Sequence, residues 1–204
     1  MIKSHASFVR TSKGIAIEPR APATLPNLSV GIVGRVAVPG SAGITVGVVG
    51  LGATTLASTD SLRPYWLAVW LLAAVVAASA GAIMIIRASG AQAGFASART
   101  VVACLLPSVF AGAVLTVVLW LSASQHAIPG TWLLLYGCAL IHMGAVTSKS
   151  IAVLGSVFVS LSFVAFSLPE SHQMAILGIG FGEAHILYAL IVKRIGAGQV
   201  GKLY

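Results

Sequence analysis

The sequence predicts an all-α, polytopic transmembrane helix bundle of about six spans, with the N- and C-termini on the cytoplasmic side. Hydrophobic residues make up 58% of the 204 residues and charged residues 8%, whereas a soluble domain carries about 25% charged residues. The few charges fall in short gaps between six long, nearly uncharged stretches. Because a span needs about 20 apolar residues, six spans use most of the chain and predict no separate soluble domain.

The apolar stretches set the span boundaries. The predicted spans are residues 40–57, 64–86, 100–122, 131–147, 151–168 and 173–192, within a transmembrane domain of residues 40–194. Each is a continuous apolar run, whereas a membrane β-strand alternates apolar and polar residues over about 10 positions. Helices are therefore predicted throughout. Residues 1–39 are predicted to form a flexible cytoplasmic arm, and residues 195–204 a cytoplasmic tail.

The basic residues predict the orientation of the spans. With the N-terminus inside, the outer loops hold one cation, Arg63, together with Asp60 and Glu170. The inner segments hold the other eleven, which are Lys3, Arg10, Lys13, Arg20, Arg35, Arg87, Arg99, Lys149, Lys193, Arg194 and Lys202. Such a bias favours both termini inside. The net charge of +8 is spread along loop edges, where lipid headgroups attract cations, so no nucleic-acid partner is predicted.

Two spans carry glycines at helical spacing. Gly43 and Gly47 lie four residues apart in the first span, and Gly178 and Gly182 in the sixth. Small residues at this spacing share one face of a helix and allow two backbones to approach closely in lipid. Two interpretations remain open. The glycines form packing seams within one chain, or one seam forms the interface of a homodimer or of a complex with another membrane protein.

Three ionisable residues lie within spans, which makes them candidate site residues. His142 lies seven residues before Lys149, about 10 Å from that end of its span by helical rise. His185 lies eight residues before the next cation, about 12 Å by the same rise, and Glu183 lies slightly deeper. The three side chains therefore share one slab of the inner leaflet, where spans four and six run in the same direction.

The helical angle limits which of these side chains meet. Residues two apart point roughly 200° apart on an α-helix, so Glu183 and His185 are not both expected to face span four. His185 is expected to share the face of Gly178 and Gly182, and Glu183 a more apolar face.

Cys138 and His142 share a face of span four, so Cys138, His142 and His185 are a candidate metal or proton-relay set. A two-histidine haem site at His142 and His185 is a second alternative, since axial histidines are a known form of haem ligation. The plainer interpretation is that each histidine is a neutral imidazole bonded to a neighbouring carbonyl or hydroxyl. No cofactor is predicted in the leading interpretation, with haem or metal as the alternative.

Enzymatic motifs are absent from the sequence. It contains no Walker loop, HExxH, GxSxG or dinucleotide fingerprint, and its four acidic residues are widely scattered. An enzymatic function is therefore not favoured.

Four stretches resemble a group of small six-span proteins of bacterial inner membranes whose function is unassigned. They are LRPYWLAVWLLAA at residues 62–74, PGTWLLLYGCA at 129–139, SIAVLGSVFVSLS at 150–162 and LGIGFGEAHILYALIVKRIG at 177–196. The resemblance implies the six-span fold and the bacterial cytoplasmic membrane, and it implies no reaction. In that group the position of Glu183 is usually small, so Glu183 is a departure that favours His185 alone.

These observations predict a structural, regulatory or accessory component of the membrane. The first alternative is a small transporter or proton-coupled permease that uses His185. The second is a membrane redox subunit with haem or metal at His142 and His185. The predicted partners are the lipid bilayer and either a second copy of the chain or another membrane protein.

Overall fold

The computed structural model describes residues 40–89 and 91–200 and is helical throughout this part, apart from short turns. The α-helices are α1 (Gly40–Ala57), α2 (Trp66–Ser89), α3 (Ala91–Leu121), α4 (Ile128–Val146), α5 (Lys149–Ser167), α6 (Gln173–Leu177) and α7 (His185–Val200). A π-helical segment, Gly178–Ala184, joins α6 to α7, and these three elements form the sixth span. Short 3₁₀ turns precede α2, α4 and α6.

Six helices of the described residues are long and apolar enough to cross a membrane. The prediction of an all-helical bundle with six candidate spans is therefore confirmed. Helix α3 begins at Ala91, nine residues before the predicted third span. The helix continues beyond the apolar run of residues from which that span was predicted. Helix α7 includes residues 195–200 of the predicted tail. The predicted N-terminal arm and residues 201–204 lie outside the described residues.

The glycines of α1 face the sixth span. A Cβ atom added at Gly43 would lie 3.1 Å from Ala189 Cβ, and one added at Gly50 would lie 2.6 Å from the carbonyl of Phe181. Gly47 faces the Gly182 carbonyl in the same way. Helices α1 and α7 therefore approach closely enough for backbone to contact backbone, which is how helices gain packing energy in lipid.

The glycines of the sixth span face α1 in the same way. Gly178 faces Thr54, and Gly182 faces Leu51. The structure thus places all four predicted packing glycines in one seam within the chain. A dimer through the same residues would require α1 to leave the sixth span.

Helices α4 and α5 form a second close pair. A Cβ added at Gly137 would lie 2.8 Å from the Gly155 carbonyl oxygen, and one at Gly155 would lie 2.7 Å from that of Gly137. Gly144 faces Ala152 in the same manner. Helix α5 also contacts the sixth span, so α1, α4, α5 and the sixth span make a compact body.

The hairpin of α2 and α3 packs on the outside of this body, α2 against α1 and α3 against α4. In each of these spans 11% of an apolar 18-residue window is buried, against 44% in the fourth span. At one end of the hairpin the Trp66 and Trp132 rings lie 6.3 Å apart, and Trp132 Nε1 donates a hydrogen bond to Thr116 Oγ1 at 2.8 Å. Aromatic contacts therefore hold α2 and α3 against α4 at the end where α3 passes into α4.

The α1 seam predicts different outcomes for two glycines of one helix. Gly50→Ala places a Cβ against the Phe181 backbone, and such overpacking typically costs 1–3 kcal/mol. Gly52→Ala meets no atom within 4 Å and gains helix propensity. In thermal unfolding in mild detergent, we expect Gly50→Ala to lower Tm by several degrees and Gly52→Ala to leave it unchanged or slightly raised. Equal Tm values for the two variants would contradict the seam.

Candidate intramembrane site

The π-helical segment interrupts the sixth span near its middle. Its seven residues, Gly178–Ala184, include three glycines and Glu183. Hydrogen bonds in a π-helix join residues five apart, and such segments are rare and frequent at functional sites. The segment ends at Ala184, so the change of helical geometry falls next to His185, the one buried histidine of the described residues.

His185 is hydrogen-bonded through both ring nitrogens. Its Nδ1 lies 3.4 Å from the Gly180 carbonyl oxygen, five residues earlier in the chain. That oxygen only accepts, so Nδ1 carries a hydrogen, and in the neutral imidazole Nε2 is then the acceptor. The Tyr136 hydroxyl, 3.0 Å from Nε2, donates to it. This geometry is what the plainer interpretation of His185 predicts.

Three aromatic rings surround this pair. Tyr136 of α4, Phe158 of α5 and Phe181 of the π-helical segment lie with their ring centroids 5.0–5.2 Å apart. The His185 ring is 5.2 Å from Phe158 and stacks on Phe181 at 6.4 Å. These separations are favourable for aromatic pairs. Side chains from three spans thus hold the imidazole in one orientation.

A large cavity lies beside this aromatic group. Its volume is ≈ 790 Å³, and its wall includes residues of α1 to α5 and of the sixth span. The wall is predominantly apolar, and Tyr136 and His185 are among its few polar residues. Leu71 and Val109, which also line it, are exposed, so the cavity reaches the outer surface at α2 and α3.

The cavity runs along the bundle. Trp120 and Trp132 line it near the turn between α3 and α4, whereas Met143 and Ile151 line it near the turn between α4 and α5. Trp70 also lines the cavity, and the centroids of the Trp70 and Phe181 rings lie 5.8 Å apart. The Trp70 Nε1 atom is buried with no hydrogen-bond partner among the described residues. The cavity therefore spans a large part of the helix length and extends beyond the aromatic group.

The structure does not gather the four predicted site residues. His185 is buried, 5% exposed, whereas Cys138, His142 and Glu183 lie on the outer surface. No group of three or more His, Cys, Asp or Glu side chains in the described ranges is placed to hold a metal ion. The predicted set of Cys138, His142 and His185 is therefore not assembled, because α4 directs Tyr136 rather than its histidine toward His185.

The haem alternative meets a similar difficulty. Axial ligation needs two histidines that face one space, each with a free nitrogen lone pair. His185 lines the cavity, but both its nitrogens have protein partners. His142 is exposed and is not part of the cavity wall.

The face of His185 follows the expectation only in part. Ala189, one turn later in α7, lies against Gly43 of α1, and so does the His185 carbonyl. The His185 ring contacts Tyr136 and Phe158, on α4 and α5, whereas Gly178 and Gly182 face α1. The wider turn of the π-helical segment separates the direction of the ring from that of the two glycines.

Sequence reasoning missed Tyr136, the partner of His185. One signal was present. Tyr136 lies in the middle of an apolar span, away from the ends where tyrosine rings usually lie, and a buried tyrosine hydroxyl normally finds a hydrogen-bond partner. The π-helical segment has no comparable signal beyond its three glycines at alternate positions.

Comparisons with protein-family models, with curated proteins and with solved structures found no match to this chain. The resemblance to the six-span bacterial group stays a prediction.

The Tyr136–His185 hydrogen bond predicts a loss of stability in Tyr136→Phe. The substitution leaves His185 Nε2 buried without its donor, which typically costs about 1–3 kcal/mol. Thermal unfolding in mild detergent should show a lower Tm. Tyr188→Phe is the matched control, because within the described residues the Tyr188 hydroxyl is hydrogen-bonded to the exposed Ser150 hydroxyl, at 3.2 Å. We expect a change within about 0.5 kcal/mol there, and a similar loss in both variants would contradict the assigned role of Tyr136.

Proposed function

We propose that this chain is an accessory protein of the bacterial cytoplasmic membrane whose cavity holds the apolar chain of a membrane lipid. The observation that carries the proposal is the cavity itself. Its ≈ 790 Å³ lies within the range of 300–1,000 Å³ found for binding sites of small molecules. Its predominantly apolar wall suits a hydrocarbon chain, and its contact with exposed residues of α2 and α3 allows entry from the bilayer.

The surroundings of the cavity supply an occupant. Because Leu71 and Val109 line the cavity and are exposed, the cavity is open to the bilayer. The nearest material able to fill it there is hydrocarbon.

The same wall gives less support to a permease for a polar solute. A path for such a solute needs several polar groups in sequence, because each polar group left unpaired in an apolar medium is costly. Here Tyr136 and His185 are bonded to one another, and the wall around them is predominantly apolar.

Filling the cavity should expel the lipid. Ala113 lines it and Ala103 does not, although both are exposed residues of α3. We expect the wild-type protein and Ala103→Phe, purified in mild detergent, to retain a lipid at near-stoichiometric amount. Ala113→Phe should retain several-fold less. The measurement is quantitative mass spectrometry of lipids extracted from the purified protein.

Retention of the same small amount by all three proteins, with the composition of the bulk membrane, would overturn the proposal. Circular dichroism and size-exclusion chromatography of each variant separate loss of lipid from loss of fold.

The orientation proposed here places both chain termini in the cytoplasm. Its support is the eleven-to-one distribution of Lys and Arg between inner and outer segments, because cytoplasmic loops carry the excess of cations. Asp60, between α1 and α2, is then outside, and Ser148, between α4 and α5, is inside.

Cysteine labelling tests this orientation. In a background of Cys104→Ala and Cys138→Ala, we expect Asp60→Cys to react with a membrane-impermeant maleimide in intact cells. Ser148→Cys should react only after the membrane is permeabilised. Both positions are exposed, so the difference reports the side of the membrane. The reverse pattern would show the opposite orientation.

A further inference from the structure

The cavity extends toward both ends of the bundle. Ala98 and Trp120 of α3 both line it, and Trp120 lies 22 residues after Ala98, roughly 33 Å along the helix. The hydrocarbon core of a bilayer is about 30 Å thick. A lipid whose chain occupies the cavity can therefore place its headgroup at either end, and the two ends offer different surroundings.

The ends differ in charge. The end that holds the α2–α3 and α4–α5 turns (the basic end) carries five exposed cations and no acidic residue among the described residues. The cations are Arg87, Arg99, Lys149, Lys193 and Arg194, and none of them has an ion pair within the described part of the chain. The opposite end carries Asp60, Arg63 and Glu170. The positive potential of the basic end therefore attracts an anionic headgroup.

A chain of three hydroxyl groups connects the cavity wall to the basic end. Tyr188 lines the cavity, and its hydroxyl lies 3.2 Å from that of Ser150. The Ser150 hydroxyl is in turn 2.9 Å from that of Ser148. Each hydroxyl carries one hydrogen, and the two hydrogen bonds use two of the three. One hydrogen therefore remains to be donated to an acceptor outside the described residues.

A cation accompanies these hydroxyls. Lys149 lies between the two serines in sequence, as the first residue of α5, and it is exposed. Lysine and hydroxyl groups both bind phosphate oxygens in proteins. At the opposite end, the Trp132 indole and the Thr116 hydroxyl line the cavity, but they are bonded to each other. The basic end therefore suits a phosphate better.

We infer that the lipid in the cavity is an anionic phospholipid whose headgroup lies at the basic end, with its phosphate beside Lys149 and the hydroxyls of Tyr188, Ser150 and Ser148. This inference rests on the proposed function, which places an apolar chain in the cavity without specifying the class of lipid. A zwitterionic phospholipid carries the same phosphate together with a positive group, which the cations of this end repel. The apolar wall thus accepts a hydrocarbon chain, and the basic end selects the headgroup.

Competition between two headgroups tests the inference. The protein, freed of lipid in mild detergent, is mixed with equal amounts of phosphatidylglycerol and phosphatidylcholine that carry identical acyl chains. Native mass spectrometry measures the two complexes separately. We expect several-fold more of the phosphatidylglycerol complex. The excess should decrease as salt is added, because ions screen interactions between exposed charges.

Three variants locate the headgroup. Lys149→Gln removes one cation beside the hydroxyls and should lower the preference for phosphatidylglycerol about five-fold. Lys149→Arg keeps the charge and should keep the preference. Arg63→Gln is the matched control, because Arg63 is an exposed cation at the opposite end, and it should leave the preference unchanged.

Ala113→Phe connects the headgroup to the cavity. It should lower the amount of the phosphatidylglycerol complex several-fold, since the chain of the same lipid loses its space. A preference that persists undiminished in Ala113→Phe would show lipid bound outside the cavity and would overturn the inference. So would equal effects of Lys149→Gln and Arg63→Gln.

The wild-type protein separates this inference from the proposed function. Equal binding of the two lipids, lost for both in Ala113→Phe, would overturn the headgroup preference and leave the proposed function standing. Binding of neither lipid by the folded wild-type protein would overturn both.

Discussion

Close backbone contact between α1 and the sixth span determines the arrangement at the centre of the bundle. Lipid supplies no hydrophobic force between helices, so these two elements hold together through van der Waals contacts that any Cβ would prevent. Gly50 rests on the Phe181 backbone and Gly182 on Leu51. The contact includes Phe181 and Gly182 of the π-helical segment, so the close approach of α1 and the wider helical turn occur at the same level of the bundle.

The π-helical segment in turn separates two ionisable residues that are neighbours in sequence. His185 turns inward to Tyr136, where its two nitrogens are paired. Glu183 turns outward, where it has no hydrogen bond or ion pair with the described residues. One short stretch therefore contributes a hydrogen-bonded polar group to the interior and an unpaired one to the surface.

Much of the fold was predictable from sequence, and the site was not. Apolar run length and the positions of the charges locate six spans, because the bilayer imposes one length on every helix. The glycine spacing also anticipates close helix contacts, although it does not say which helix each glycine meets. The prediction for the direction of His185 assumed 100° per residue through Gly178–Ala184, where the structure has a wider helical turn. A single change of helical pitch alters every later direction, and pitch depends on tertiary contacts that one span does not reveal.

The position of the hairpin of α2 and α3 has a consequence for what surrounds the protein. In a close-packed bundle, side chains of neighbouring helices meet across every interface. Here α2 meets α1 and α3 meets α4, and between these two contacts the hairpin lines an open cavity. Hydrocarbon of the bilayer, or the detergent that replaces it, is therefore the neighbour of these side chains in place of another helix.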